Sequence, residues 1–418
     1  MLAKPQLADR PAGRNMIKIV KIIGITMISA DAVGIGFEYA SAQVSAKGNT
    51  GVTNLGSASA VHYNPGALSF LEEGQVEVNV FTILGEAEWN QDGTIYEADD
   101  DPLFSGTAYV SYPIELGFGK SVVGAGLTSS YGQSVSWDPA NPARDAGYEG
   151  ELALVQYQLS FSHQFNDSLG IGVTWNWVDS ELESVAGVPG IPGIPVPLPD
   201  SVGRFEGDGT ANFFQFGILY NPTEDWYFGA AYRSSFDLNH EGSFSFDSNS
   251  PIVPVSSTVD AELEFELPPH VILGISYTGF DDWTISLQSQ WTGWSTFDEI
   301  LIETDDGLPD TPLIVDWEDG WVHSIGVSYD MSDYLTLHTG YVYVESIIPD
   351  QNQTLTVADF EQHLLSAGVS YETNKWGADL AVVYAISEGN TIEGSLNGLD
   401  GDHDASALFI NLGGRWKY

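Results

Sequence analysis

The side chains with which this 418-residue chain could do chemistry are 8 histidines, 58 carboxylates and 13 basic residues. The histidines are His62, His163, His240, His270, His323, His338, His363 and His403, and no two stand at the helical spacing that would put both imidazoles on one metal. Cysteine is absent, which removes thiolate metal sites and any disulfide scaffold. The carboxylates gather in runs: Asp99-Asp100-Asp101, Asp305-Asp306, and Asp400 to Asp404 around His403. Hard cations take carboxylate oxygens, so calcium is one reading of these runs. The Asp400 run lacks the remaining ligands and spacing of an EF-hand, and a solvated acidic loop is the expectation. No serine–histidine pairing can be placed. The expectation is therefore no enzyme, no cofactor and no metal.

The charge balance, -45, excludes a nucleic-acid partner, because phosphate contacts need Lys and Arg. Such acidity speaks to surroundings and association: high salt, cation-rich media, or loops facing divalent ions.

The elements that would position these residues are strands. In Trp283–Trp291, the residues Trp283, Ile285, Leu287 and Trp291 share one face, and Thr284, Ser286, Gln288 and Gln290 the other. The same period of two runs through 108–116, 155–162, 376–386 and the end, where Leu408, Ile410, Leu412, Trp416 and Tyr418 align. Short connections fall at 119–121, 166–168, 221–225, 279–282, 330–333 and 373–375. Long ones fall near 90–104, 137–149, 185–204, 247–256, 300–316, 348–359 and 391–404. These 6 short and 7 long links predict 14 strands. An even count with alternating link lengths is the pattern of an outer-membrane barrel with short periplasmic turns and long external loops. The count needs 257–279 to be one strand, with Pro268-Pro269 at a kink or bulge. Aromatics follow the short turns at Trp226, Trp283, Tyr334 and Trp376, as in an interfacial girdle. Trp (12), Tyr (19), Phe (20) and Gly (45) at a mean hydropathy of -0.06 suit a wall of which only alternate residues meet lipid.

Ahead of the strands lies 41–68, small, polar and glycine-rich, with neither period. It reads as a mobile tail or as a plug inside the barrel; Asn64-Pro65 is a turn signal. Ahead of that, Lys18 and Lys21 precede the short apolar run 22–28, followed by small-x-small sites at 30–32 and 40–42, which is an export signal. Loop 185–200 is apolar and proline-rich, with Ile191, Ile194, Val196 and Leu198. Prolines stiffen it. An exposed loop this apolar is either packed against neighbours or a landing surface for a hydrophobic molecule.

Three stretches near the N-terminus, Gly36-Phe37, Gln43–Gly48 and Ala60–Leu68, resemble the start of the FadL family of outer-membrane transporters. Leu267–Gly274, Trp291–Phe297 and Leu335–Tyr341 through Pro349 are similar to later parts of that family, in its order. Where the family usually has Asn-Pro-Ala, this chain has Asn64-Pro65-Gly66. The resemblance implies an all-β fold: a 14-stranded antiparallel transmembrane β-barrel plugged by a small N-terminal hatch. It implies cleavage near Ala32, so that 1–32 is a leader with an extension, 33–73 the hatch and 74–418 the barrel. It also implies capture of long-chain fatty acids or hydrocarbons on external loops, passage past the hatch, and release sideways at a kinked third strand, here about 121–136 with Gly124, Gly126 and Gly132. The resemblance favours the landing-surface reading of 185–200. The expected surroundings are outer-membrane lipid and lipopolysaccharide, reached through the barrel-assembly machinery of a Gram-negative cell. A general porin for polar solutes is the alternative, and a plug argues against it.

Arg233 falls on the inward phase of its strand, opposite Trp226, Phe228 and Tyr232. A carboxylate buried in an apolar lumen needs such a partner. A lumenal Asp or Glu of the protein would compete for it, so fatty acid and neutral hydrocarbon both stay open.

Overall fold

From Gln75 onward the alternation becomes strand almost everywhere. The computed structural model describes residues 39–117, 119–129, 132–188, 201–249, 254–297, 299–304, 311–314, 316–357, 359–387 and 389–418. Its strands are β1 (Gln75–Gln91), β2 (Thr94–Glu97), β3 (Leu103–Leu116), β4 (Gly119–Thr128), β5 (Gly132–Ser136), β6 (Glu149–Asn166) and β7 (Leu169–Gly187). Then come β8 (Ser201–Thr223), β9 (Trp226–Arg233), β10 (Phe236–Asn249), β11 (Pro254–Leu267), β12 (His270–Phe280), β13 (Trp283–Thr292) and β14 (Glu299–Thr304). The last are β15 (Thr311–Ile314), β16 (Gly320–Ser332), β17 (Leu335–Val344), β18 (Gln362–Glu372), β19 (Trp376–Ser387), β20 (Asn390–Ile392) and β21 (Gly401–Lys417). They combine into a closed antiparallel barrel of 14 staves, because four staves are interrupted and β2, β15 and β20 belong to external connections. Closure is long: β1 runs along β21 from Gln75↔Lys417 to Asn90↔Asp402.

The interruption at Pro268-Pro269 lies where the strand count required it, between β11 and β12. Proline cannot donate to the ladder, so pairing stops there. The neighbouring staves break at the same level, between β9 and β10 and between β13 and β14, along the row Arg233↔His270↔Thr292. The first short connection precedes its expected 119–121, since β3 runs to Leu116 and β4 already begins at Gly119.

Outward and inward residues alternate cleanly on β8. Phe214, Phe216, Ile218 and Tyr220 are exposed on the outside, and Phe213, Gln215 and Leu219 are buried inside. Moving an apolar side chain of this size from water into lipid stabilises by roughly 2 kcal/mol. Above Phe214 the outward face turns to Asn212, Thr210, Asp208 and Glu206, so the wall continues beyond the apolar band. At the other edge of the band Trp226, Trp283, Tyr334 and Trp376 are all exposed, and Trp416 and Tyr418 join them. This is the interfacial girdle expected at the short turns.

Residues 39–74 lie inside this wall. They form helix α1 (Ala42–Ala46), helix α2 (Ala60–Tyr63) and a 3-10 turn over Pro65–Phe70. Val44, Val61, Leu68, His62 and Asn64 are wholly buried. The tail reading of this segment is thereby replaced by the plug.

Candidate functional site

Small residues let the hatch reach the wall. Inward-facing glycines on many staves stand opposite hatch atoms. A Cβ on Gly124 would fall within 3.0 Å of Val61, on Gly172 of Pro65, on Gly217 of Asn64, on Gly229 of Val52, on Gly326 of Lys47 and on Gly368 of Ala46. These glycines narrow the wall where the hatch passes, and an irregular small-residue segment fills the space they leave.

Hydrogen bonds then fix the hatch. Asn64 Nδ2 donates to Val52 O at 2.6 Å and to Ile218 O in the wall at 3.0 Å, while its Oδ1 accepts from Gly66 N at 3.0 Å. Pro65 starts the 3-10 turn, where its missing N–H costs nothing. So Asn64, Pro65 and Gly66 form one seat against β7 and β8. The wall contributes Gln215 Nε2 to His62 O at 2.6 Å, Thr174 Oγ1 to Val61 O at 3.0 Å, and Gln288 Oε1, which accepts from Val52 N at 3.0 Å. On the opposite side Ser366 Oγ donates to Ala46 O, and Asn411 Nδ2 donates to Tyr39 O. Glu77, buried on β1, accepts from Ser41 Oγ at 2.8 Å and also from Ser57 and Ser59. Buried polar groups are costly unless bonded, so this network favours one seated position. Sequence reading singled out the seat but none of these wall partners.

Charges cluster beneath. Arg415 on β21 donates to Gln43 Oε1 at 2.9 Å, to Glu372 at 2.8 Å and to Asp379 at 3.2 Å, and Lys417 pairs with Glu372 at 2.5 Å. The hatch end of the lumen is polar for that reason.

On the external side of the hatch the lumen turns apolar. Tyr39 stacks on Phe409 at 4.2 Å beside Phe81, Ile83 and Leu364. Across the barrel, Phe213 stacks on Phe236 at 4.5 Å among Leu154, Leu238, Trp294 and Trp317. Arg233 sits at this boundary. It faces inward as its period indicated, is 3% exposed, and holds its guanidinium 5.8 Å from the Phe213 ring. Its cross-strand neighbours are Gln215, which carries the hatch, and His270. Ile191, Ile194, Val196 and Leu198 lie outside the described residues, as do the leader and Gly36-Phe37.

Serine–histidine contacts do occur. His240 Nε2 meets Ser180 Oγ at 2.9 Å, and His338 meets Ser328 at 2.7 Å and Ser370 at 2.9 Å. The serine and histidine groups of the first and last contacts are buried cross-strand pairs of the wall.

The third stave shows a break in its ladder that the glycines alone did not place. β3 pairs with β4 only from Ala108↔Leu127 down to Leu116↔Gly119. Beyond Thr128 that stave breaks, and β5 pairs with β6 alone, Gly132↔Ala153 to Ser136↔Glu149. Among the described residues, no ladder joins Leu103–Thr107 to β5. The gap is closed above by Asp99 N donating to Ser136 O at 2.9 Å and by the Ala98↔Trp137 bridge. Among the described residues it is therefore a framed gap in the ladder, in the upper half of the wall, with exposed Phe104 and Val110 beside it.

The family model for outer membrane protein transport proteins (OMPP1/FadL/TodX) matches residues 25–418. A 47 kDa outer membrane protein of Pasteurella multocida is 23% identical over 375 residues, covering 83% of this chain and 86% of that one. A long-chain fatty acid transport protein of Escherichia coli is 24% identical over 71% of each chain. Among solved structures, a Pseudomonas aeruginosa FadL homologue superposes with a TM-score of 0.81 at 16% identity, covering 92% of this chain and 99% of that one. The Pseudomonas putida toluene transporter TodX gives 0.67 at 18% identity, covering 90% and 96%.

Proposed function

The chain belongs to the family of outer membrane protein transport proteins (OMPP1/FadL/TodX), and from that premise we propose how it carries hydrophobic molecules across the outer membrane. One relative is named for long-chain fatty acids and a structural neighbour for toluene, and both classes are candidates here. A hydrophobic molecule partitions poorly into the hydrated surface layer of the cell. The apolar loop with Ile191, Ile194, Val196 and Leu198 captures it first, at roughly 25 cal/mol per Å² buried. It then enters the apolar lumen. Arg233 receives the head of a substrate that carries a carboxylate. The hatch blocks the way down, and the substrate leaves through the gap in the third stave, the window, into the outer leaflet. The single observation that carries this reading is the pairing of a blocked lower lumen with a gap in the strand ladder just above it.

That same blockage disfavours the general porin, which needs an open aqueous lumen. Residues 1–32 are removed on export, 33–73 act as the hatch and 74–418 as the barrel. The chain reaches the membrane through the barrel-assembly machinery and is surrounded by lipopolysaccharide. Uptake of labelled oleate and toluene by cells with and without the chain tests the reading. A rate that rises with the chain for at least one of them supports it. Equal rates for both, with the barrel present in the membrane, would refute it.

A further inference from the structure

The window has a polar inner rim. Ser105 faces inward on the free edge of β3, and Thr128 faces inward at the broken end of β4; both side chains are buried, and neither hydroxyl has a hydrogen-bond partner. The row just below the window runs Tyr109↔Gly126↔Gln158. Gly126 leaves a notch there, and Gln158 Oε1 fills it: a Cβ on Gly126 would lie 2.7 Å from that oxygen and 2.8 Å from the Tyr109 ring.

The polarity of the Gln158 amide follows from its neighbours. Asn176 turns its Nδ2 toward the carbonyls of Thr174 and Phe213, so its Oδ1 must accept. Gln158 Nε2 donates to that Oδ1 at 3.0 Å. The remaining atom, Oε1, is an acceptor, and it too has no partner. A buried acceptor left unmade is expensive, and three open oxygens at one break in the ladder call for a ligand that can complete them. Hydroxyls offer both roles, whereas the amide oxygen takes only a donor. A carboxylate is acceptor-only and has no hydrogen to offer Oε1. A bare hydrocarbon would leave all three oxygens unmade.

We propose that this window is a headgroup filter, which passes amphiphiles bearing an O–H group in preference to the hydrocarbon with the same tail. The class comprises long-chain alcohols, alkyl phenols and protonated fatty acids. The apolar surface of Phe81 and Ile83 behind β3 takes the tail, while Thr128, Ser105 and Gln158 take the head. This rests on the reading that the chain releases hydrophobic molecules through its wall.

The test is paired uptake of labelled hexadecanol and hexadecane by cells expressing the full chain, each rate corrected for cells lacking it. The wild type is expected to favour the alcohol. The triple variant Ser105→Ala, Thr128→Val, Gln158→Leu is expected to lower the alcohol-to-alkane ratio about tenfold, equivalent to about 1.4 kcal/mol. Thr128→Ser, which keeps the hydroxyl, is expected to hold the wild-type ratio. Heat-modifiable migration on gels checks that each barrel is folded. A wild type that carries both probes without preference overturns the filter but leaves transport standing. So does a triple variant that slows both probes equally. Failure to carry either probe, oleate or toluene overturns the transport reading and the filter with it.

Discussion

Gly172→Val puts the hatch to a direct test. In the wild type a Cβ at this position would already lie within 3.0 Å of Pro65 O and of Gly66 N. Valine adds two methyls, and a backbone segment cannot yield as a flexible side chain would. The seat of the hatch must therefore move inward by about an ångström, a shift that breaks hydrogen bonds of ordinary length. Three wall contacts adjoin the site: Thr174 to Val61 O, Gln215 to His62 O, and Asn64 to Ile218 O. At about 1 kcal/mol net for each, their loss disfavours the seated hatch by about 3 kcal/mol. The ratio of seated to unseated hatch then falls on the order of a hundredfold. Conductance of purified protein in planar bilayers reads this directly, with frequent openings expected in the variant and few in the wild type. Gly414→Ala is the control, because a Cβ there meets nothing within 4 Å. A variant barrel that folds, inserts and stays as silent as the wild type would show that the belt of glycines has no part in sealing the lumen.

Arg233→Met keeps the stem and removes the charge; oleate uptake is expected to fall at least about tenfold, roughly 1.4 kcal/mol, while toluene uptake is spared. Equal loss of both would assign Arg233 to the wall rather than to substrate. Replacing Ile191, Ile194, Val196 and Leu198 with Ser should weaken capture at limiting substrate while barrel assembly stays intact, and unchanged uptake at low substrate would remove the loop from the path. In the external loop between β17 and β18, burial raises the carboxyl of Asp359 from 3.8 to about 6, although it accepts from the backbone N–H groups of Ile347 and Ile348. Between those values the folded loop binds more protons than the unfolded one, so its stability falls as pH rises from about 4 to about 6. Hydrogen exchange over 345–360 should show more protection at the acid end. Asp359→Asn should flatten that dependence, and a variant with the wild-type slope would exclude Asp359 as its source.

What could be read in the chain follows the range of the interactions. Period two is local, so the staves, the alternating links and the inward phase of Arg233 were legible. Pro268-Pro269 announces its own break, because proline lacks the N–H of the ladder. The breaks after Arg233 and Thr292 carry no comparable signal, since they follow from how neighbouring staves pair. The window belongs with them. Gly124, Gly126 and Gly132 suggested a weak point, but the gap is set by where β3 loses β4 and where β5 keeps only β6. The glycine waist was equally hidden. Each of Gly172, Gly217 and Gly326 reads as an ordinary barrel glycine until the hatch atom opposite it is known. The polar partners of the hatch, Gln215, Gln288 and Asn411, looked like common lumenal side chains for the same reason.

The clamp on the first described hatch residues has a consequence for the order of assembly. Ala42 N donates to Asn79 on β1, while Tyr39 O and Gln43 Oε1 accept from Asn411 and Arg415 on β21. The latter two contacts span 372 residues of sequence. β1 and β21 are neighbours only after the last stave has docked on the first. Until that moment the β21 side of the clamp does not exist, and the hatch has no reason to hold its final position. Locking of the hatch is thus a late event that reports the closing of the ring. A nascent barrel whose final stave has not yet arrived should leak, and should become tight in the same step in which it becomes whole.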